Sequence, residues 1–253
     1  MTNANNVKSI IKAFAIIEEL EKNGSMSIGE LSQALSMDKS TVHRLVNTIK
    51  DAGYVTQSSE SQKYENSIKL FEAGQSVIER IGINSAARPH IESLAQATGE
   101  TVNLAMRMEN ELIIIDKIES KSTIKVGINI GTVIPLYCTG MGKAVFAFLP
   151  LEERERVFAG LKYEKFTENT VTDPELTAKR LDEVRQQGYS MDSEEYVYGL
   201  ICFGAPIFNH RGMPIAAVST SLPSLRFTSG SSSEYAKLVK EAAAKISRHM
   251  GYA

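Results

Sequence analysis

The chain has 253 residues, with 28 Lys and Arg against 30 Asp and Glu, a net charge of −2, and 43% hydrophobic residues. That length suits one or two domains, and that apolar content excludes a chain disordered throughout. The near-neutral balance excludes a coat of basic charge, so any contact with nucleic acid must come from a local patch.

In chain order, apolar residues first recur at Val7, Ile10, Ile11, Phe14, Ile17 and Leu20. This 3.6-residue spacing predicts a helix with one buried face, stopped by Asn23-Gly24. Ser27-Ile28-Gly29-Glu30 has the form of a capping box opening a short second helix with Leu31 and Leu35. Asp38 is placed to cap a third helix, which turns Val42, Leu45, Val46 and Ile49 inward and ends at Gly53. Tyr54-Val55-Thr56 and Lys63-Tyr64-Glu65 then flank the polar run Gln57 to Gln62, a strand, loop and return strand.

Two short helices, a tight turn and a hairpin are the layout of a winged helix-turn-helix, whose second helix enters the DNA major groove. The third helix fits that role. Its outward positions are Lys39, Ser40, Thr41, His43, Arg44, Asn47 and Lys50, and no acid lies between Lys39 and Lys50. These side chains suit phosphates and base edges. Residues 1–67 hold 7 Lys and Arg against 8 Asp and Glu, so the basic character is concentrated on this one helix. Residues 68–80 continue with Ile68, Leu70, Phe71, Val77 and Ile78 apolar. A helix of that length is about 20 Å long. It reads equally as a rigid linker or as a core helix of a second domain.

The remainder alternates helices and strands. A helix runs from Ile83 to Thr98, with Pro89 near its first turns and Gly99 as its stop. Strands are predicted over Thr101 to Met108, Glu111 to Ile118 and Lys125 to Ile130. Helices are predicted over Gly140 to Phe148, after Pro150, and from Pro174 to Gly188. Strands Leu200 to Phe208 and Pro214 to Leu222 are joined by a turn at Asn209 to Met213. A last helix, Ser233 to Met250, begins with a Ser–Glu cap and carries Leu238, Val239, Ala242 and Ile246. This order suggests an antiparallel sheet with helices on its faces.

No catalytic signature is present: no GxSxG, P-loop, GxGxxG or HExxH. The two cysteines, Cys138 and Cys202, are 64 residues apart, and the histidines (His43, His90, His210, His249) are scattered. Neither a metal site nor a cofactor is expected, and both thiols should stay reduced. Cys202 and His210 make only a weak nucleophile pair, against the ordinary reading of a buried structural cysteine. Thr139-Gly140-Met141-Gly142-Lys143 could open a helix, with Thr139 as cap and the amides of Gly140 and Met141 free for a carboxylate. An ordinary Gly-rich loop is the alternative. Asp192 to Glu195 reads as a solvated charge run. Ser219 and Ser221 share one strand face with Ala217, a pattern natural for a ligand pocket. The longest apolar runs, such as Ala144 to Phe148, fall far short of the roughly 18 residues of a membrane span. The opening MTNANNVKSI lacks the apolar core of a secretory signal, so a cytoplasmic location is expected.

Several motifs carry a resemblance. Ser27 to Leu35, Lys39-Ser40-Thr41-Val42-His43-Arg44-Leu45 and Gly53-Tyr54-Val55 resemble the DNA-binding domain of the IclR family of bacterial transcription regulators. Pro135-Leu136-Tyr137 with Gly142-Lys143-Ala144, Asp192-Ser193-Glu194-Glu195 with Gly199-Leu200-Ile201-Cys202, and Ala216 to Ser221 with Pro223 resemble that family's effector domain. The resemblance implies small organic acids bound by Gly140 and Met141, Asp192, Cys202, Ser219 and Ser221, with Leu200 and Ile134 as apolar walls. Ile68 to Glu72, Tyr163-Glu164, Leu222 to Phe227 and Ala244 to Ser247 are similar to the ketodeoxygluconate-regulator branch, which governs sugar-acid breakdown. Met141 would narrow the pocket relative to other members.

The expected fold is α+β: a winged helix-turn-helix (1–67), a linker helix (68–81) that carries reorientation, and a mixed α/β effector domain with an antiparallel sheet (82–253). The expected function is a repressor, not an enzyme, that binds double-stranded DNA as a homodimer or dimer of dimers and is released by a keto sugar acid. An activator of the same genes, or an enzyme acting on a small organic acid, are the alternatives.

Overall fold

The computed structural model describes residues 6–123 and 128–252. The chain divides into two compact units between Arg80 and Ile81.

The first unit holds helices α1 (Lys8–Asn23), α2 (Ile28–Ala34) and α3 (Lys39–Asp51). A hairpin of β1 (Val55–Gln57) and β2 (Tyr64–Asn66) comes next, then most of α4 (Ile68–Ile81). The capping box forms as expected: Ser27 Oγ accepts from Glu30 N–H and the Glu30 carboxylate accepts from Ser27 N–H. That bond, with Lys63 2.9 Å away, holds the Glu30 carboxyl well below its ordinary range, at about 2. Ile16, Leu20, Leu31, Val42, Val46, Ile49, Val55 and Tyr64 close a small core, with Leu45 at its margin.

Three expectations are corrected in this unit. Asp38 occupies the N-cap position of α3, but its side chain makes no cap bond. Lys50 does not point outward with the basic face: it is half-buried, reaching Gln57 Oε1 at 3.4 Å and lying over the Tyr64 ring. The apolar face of α1 is only partly buried. Ile16 and Leu20 enter the core, whereas Val7, Ile10, Ile11 and Phe14 are 53–60% exposed. A three-helix unit is too small to cover a helix flank on every side.

The second unit is a six-stranded sheet in the order β5-β4-β3-β8-β7-β6, every neighbouring pair antiparallel. Its strands are β3 (Thr101–Met108), β4 (Glu111–Ile118), β5 (Val133–Pro135), β6 (Ser190–Ser193), β7 (Leu200–Phe208) and β8 (Pro214–Pro223). Helices α5 (Ile83–Thr98) and α9 (Ser232–His249) cover one face. Helix α6 (Gly140–Ala147) lies on the other, backed by α8 (Pro174–Gln187), with α7 (Leu151–Gly160) between them in the chain. The α6 side buries Ala105, Leu112, Ile114, Ile134, Leu136, Met141, Val145, Phe146, Leu181 and Ala217.

The strand expected over Lys125 to Ile130 falls partly on residues 124–127, outside the described residues, and 128–130 are not strand. The edge strand on that side is Val133–Pro135, paired through Ile134 opposite Leu112. Helix α9 starts one residue earlier than expected, and no side chain caps it.

Candidate functional site

On α3, Lys39, Ser40, His43 and Arg44 are exposed, while Thr41 and Asn47 are half-buried. Asn47 Nδ2 lies 3.3 Å from His43 Nδ1, one turn away. Thr48 spends its hydroxyl on the Arg44 carbonyl, leaving the Arg44 guanidinium unconstrained by that neighbour. Six hydrogen-bonding side chains thus line one helix face, above a core stripe of Val42, Val46 and Ile49.

The second set gathers around the start of α6. Thr139 Oγ1 accepts from Gly142 N–H at 2.9 Å and donates to the Pro135 carbonyl at 2.8 Å. The cap leaves Gly140 and Met141 N–H, the first two helical amides, without an acceptor among the described residues. An α-helix start of this kind favours an anion. The helix reaches the sheet through two glycines. A Cβ on Gly140 would lie 3.2 Å from Cys202 Cβ, and one on Gly204 would lie 2.8 Å from Met141 N. Helix and strand backbones therefore touch.

Strand pairing sets the rest of the site. Asp192 stands opposite Cys202, Cys202 opposite Ser221, and Ser221 opposite Thr101, so these four share one face across four strands. One step along, Ser190, Gly204, Ser219 and Asn103 form a parallel row. Ser190 donates to the Gly140 carbonyl, tying the row to α6. Leu200 and Ile134 lie on this same face by alternation and pairing, at its two ends. The eight residues implied by the resemblance are thus all placed on or under one face of the second unit, each under 9% exposed.

Asp192 to Glu195 is solvated only at its middle, Ser193 and Glu194. Asp192 and Glu195 are 2% and 3% exposed, because Lys143 reaches from α6 to bond Glu195 Oε1 and the Met191 carbonyl. Arg180 Nη1 approaches the same Glu195 oxygen at 3.3 Å. Asp192 Oδ1 accepts from Glu195 N–H at 2.7 Å. Burial pushes the Asp192 carboxyl up to about 7, against the opposing pull of Lys143 and of that hydrogen bond. Near neutrality Asp192 therefore carries a proton part of the time and can donate as well as accept. Burial also pushes the Cys202 and Cys138 thiols up, and both are free. Neither offers a ready thiolate. His210 lies beyond the end of β7, roughly 20 Å along the strand from Cys202, so the two form no pair. Among the described residues no group of three or more His, Cys, Asp or Glu could hold a metal ion.

Residues 9–59 match the IclR helix-turn-helix domain, and residues 75–248 match the bacterial transcriptional regulator IclR C-terminal domain. The chain belongs to the IclR family. It is 38% identical to the HTH-type transcriptional regulator KdgR of Escherichia coli K12, covering 98% of this chain and 94% of that one. It is 34% identical to the HTH-type transcriptional repressor AllR of Klebsiella pneumoniae, over 96% and 90%. The IclR crystal structure from Thermotoga maritima superposes with a TM-score of 0.78 at 33% identity, covering 98% of this chain and all of that one. This IclR-family chain is a transcription regulator with an α+β fold, a helix-turn-helix domain and an effector-binding domain.

Sequence reasoning missed that Ser190, Lys143, Glu195 and Asn103 are buried beside these residues. For Asn103 a signal existed: Thr101 and Asn103 alternate with Val102 and Leu104, the pattern that singled out Ser219 and Ser221.

Proposed function

We propose that this regulator represses genes of sugar-acid catabolism from the cytoplasm and leaves its operator when a keto sugar acid binds the second unit. The observation that carries this reading is the pair of free amides, Gly140 and Met141, at the Thr139-capped start of α6, set against a buried row of Asp192, Cys202 and Ser221. An anionic end belongs at the Gly140 and Met141 amides. Hydroxyls belong on the serines and on Asp192, with Ile134 and Leu200 as walls. The likeness to the AllR repressor supports the direction of control. No helix among the described residues is long and apolar enough to cross a membrane.

Two recognition helices must reach two half-sites about one helical turn apart, so the working unit is at least a homodimer. The stripe Val7, Ile10, Ile11 and Phe14 is the contiguous apolar surface that such a dimer would cover.

On DNA, Lys39, Ser40, Thr41, His43, Arg44 and Asn47 make the contacts, with Arg44 reading a base and Lys39 a phosphate. Arg44→Ala should weaken operator binding by about 1–3 kcal/mol and relax specificity at one position. Lys39→Ala should weaken all sequences alike and lower the salt slope by about one unit. Mobility shifts across a salt series separate the two, and parental behaviour of both variants would reject the helix assignment.

Asp192→Ala tests the sensor. Losing one partner in a closed site costs about 1–3 kcal/mol, or a ten- to hundredfold loss of affinity. The variant should bind operator normally without ligand yet require far more sugar acid for release. Equal release curves for variant and parent would take Asp192 out of the site. Turnover of the acid by the purified protein would favour an enzyme instead.

A further inference from the structure

Two side chains on the α6 face of the sheet have polar atoms with nothing to bond among the described residues. Asn103 is 2% exposed and its Oδ1 has no partner there, while Ser219 is 1% exposed and its Oγ has none. Native proteins leave few buried polar groups unpaired, because each costs free energy unless something satisfies it. The two residues stand directly opposite each other across β3 and β8. The Asn103 amide is anchored at its other end, where Nδ2 donates to Ser221 Oγ at 3.3 Å. Turning the amide over would leave a free donor in place of a free acceptor, and a hydroxyl can meet either.

Their position gives the pair a ruler-like property. The Met141 amide sits over Gly204, 2.8 Å from where a Cβ would stand. Gly204 is opposite Ser219, and Ser219 is opposite Asn103. With strands about 4.8 Å apart, Ser219 lies about 5 Å and Asn103 about 10 Å across the sheet from that amide. An acid held by its carboxylate at the α6 start passes Ser219 first. Only a longer chain reaches Asn103.

We propose that Asn103, with Ser219, forms a distal subsite that reads a hydroxyl far from the carboxylate and selects acids of about five or six carbons over two- or three-carbon acids. This rests on the reading of the α6 start as the carboxylate site. It adds a residue of β3 to the ligand shell and makes chain length the selected property.

Calorimetry on the full chain would compare pyruvate with a six-carbon 2-keto-3-deoxy aldonic acid, for the parent, Asn103→Leu and Asn103→Ser. Leucine keeps the side-chain volume and removes both polar atoms. Serine keeps a hydroxyl that is too short to reach. Both variants should lose at least tenfold in affinity for the six-carbon acid and keep whatever affinity the parent has for pyruvate, while a cooperative urea transition of the second unit like the parent's reports that the site is folded. If the parent binds the six-carbon acid and either variant binds it equally well, the subsite is rejected and the carboxylate site stands. Equal loss of both acids in both variants would make Asn103 a scaffold group and also reject it. If the parent binds neither acid, the reading beneath the proposal falls, and the proposal with it.

Discussion

Gly204→Ala is expected to abolish effector binding while leaving the first unit folded. A Cβ at this position would lie 2.5 Å from the carbonyl carbon and oxygen of Gly140 and 2.8 Å from Met141 N. All three are backbone atoms, so no side chain can swing aside to make room. Either α6 lifts from β7 or β7 bows away from the helix. Overpacking a filled core costs about 1–3 kcal/mol, and contact with backbone on both sides argues for the upper end. The displaced element carries the two free amides, so the proposed anion site moves away from Asp192, Cys202 and Ser221. Operator binding without ligand should survive, because the helix-turn-helix domain lies in the first unit. Urea unfolding followed separately in the two units, with ligand titration of the operator complex, gives the readout. A stable Gly204→Ala protein that responds to ligand like the parent would show that α6 does not need to touch β7.

Much of the frame is legible in the sequence because its boundaries are marked by local chemistry. The Ser27–Glu30 box, Thr139 before Gly140, Pro174, and Gly99 and Gly188 past helix ends each act within a few residues. Strands β3, β4 and β7 can be read with their observed bounds because they are long and apolar. Strand β6 cannot. Its four residues, Ser-Met-Asp-Ser, have no apolar alternation, and their burial comes from partners far along the chain. Lys143 and Glu195 are 52 residues apart, so neither periodicity nor spacing could announce their pairing. Asp192 consequently reads as surface on its residues alone and enters the site only by resemblance. The exposed stripe of α1 shows the opposite limit. Helical spacing says which residues share a face, not whether one copy of the chain has anything to cover it with.

The second large effect is expected at Lys143. Its side chain and that of Glu195 are each 4% exposed, and they are joined directly. Breaking a buried pair from one side leaves a charge with neither water nor partner, and such losses run to about 3–5 kcal/mol. Arg180, at 3.3 Å from Glu195 Oε1, relieves part of this, so Lys143→Met should cost about 3 kcal/mol at neutral pH. Removing the ammonium also takes away the strongest influence holding the Asp192 carboxyl down. That carboxyl titrates at about 7 in the fold, above its ordinary 3.8. Its stabilising contribution is therefore full below about pH 4 and is lost as the pH rises through 7. In Lys143→Met the Asp192 value climbs further, so the deficit against the parent should shrink as the pH is lowered from 8 to 5. Pairing the change with Glu195→Met should restore most of the stability, because the site then buries two apolar side chains instead of one stranded carboxylate. Urea unfolding of parent, single and double variants at pH 8 and pH 5 tests each step. A double variant no more stable than Lys143→Met, or a deficit that grows toward pH 5, would mean that the Lys143–Glu195 pair does not hold this corner of the site together.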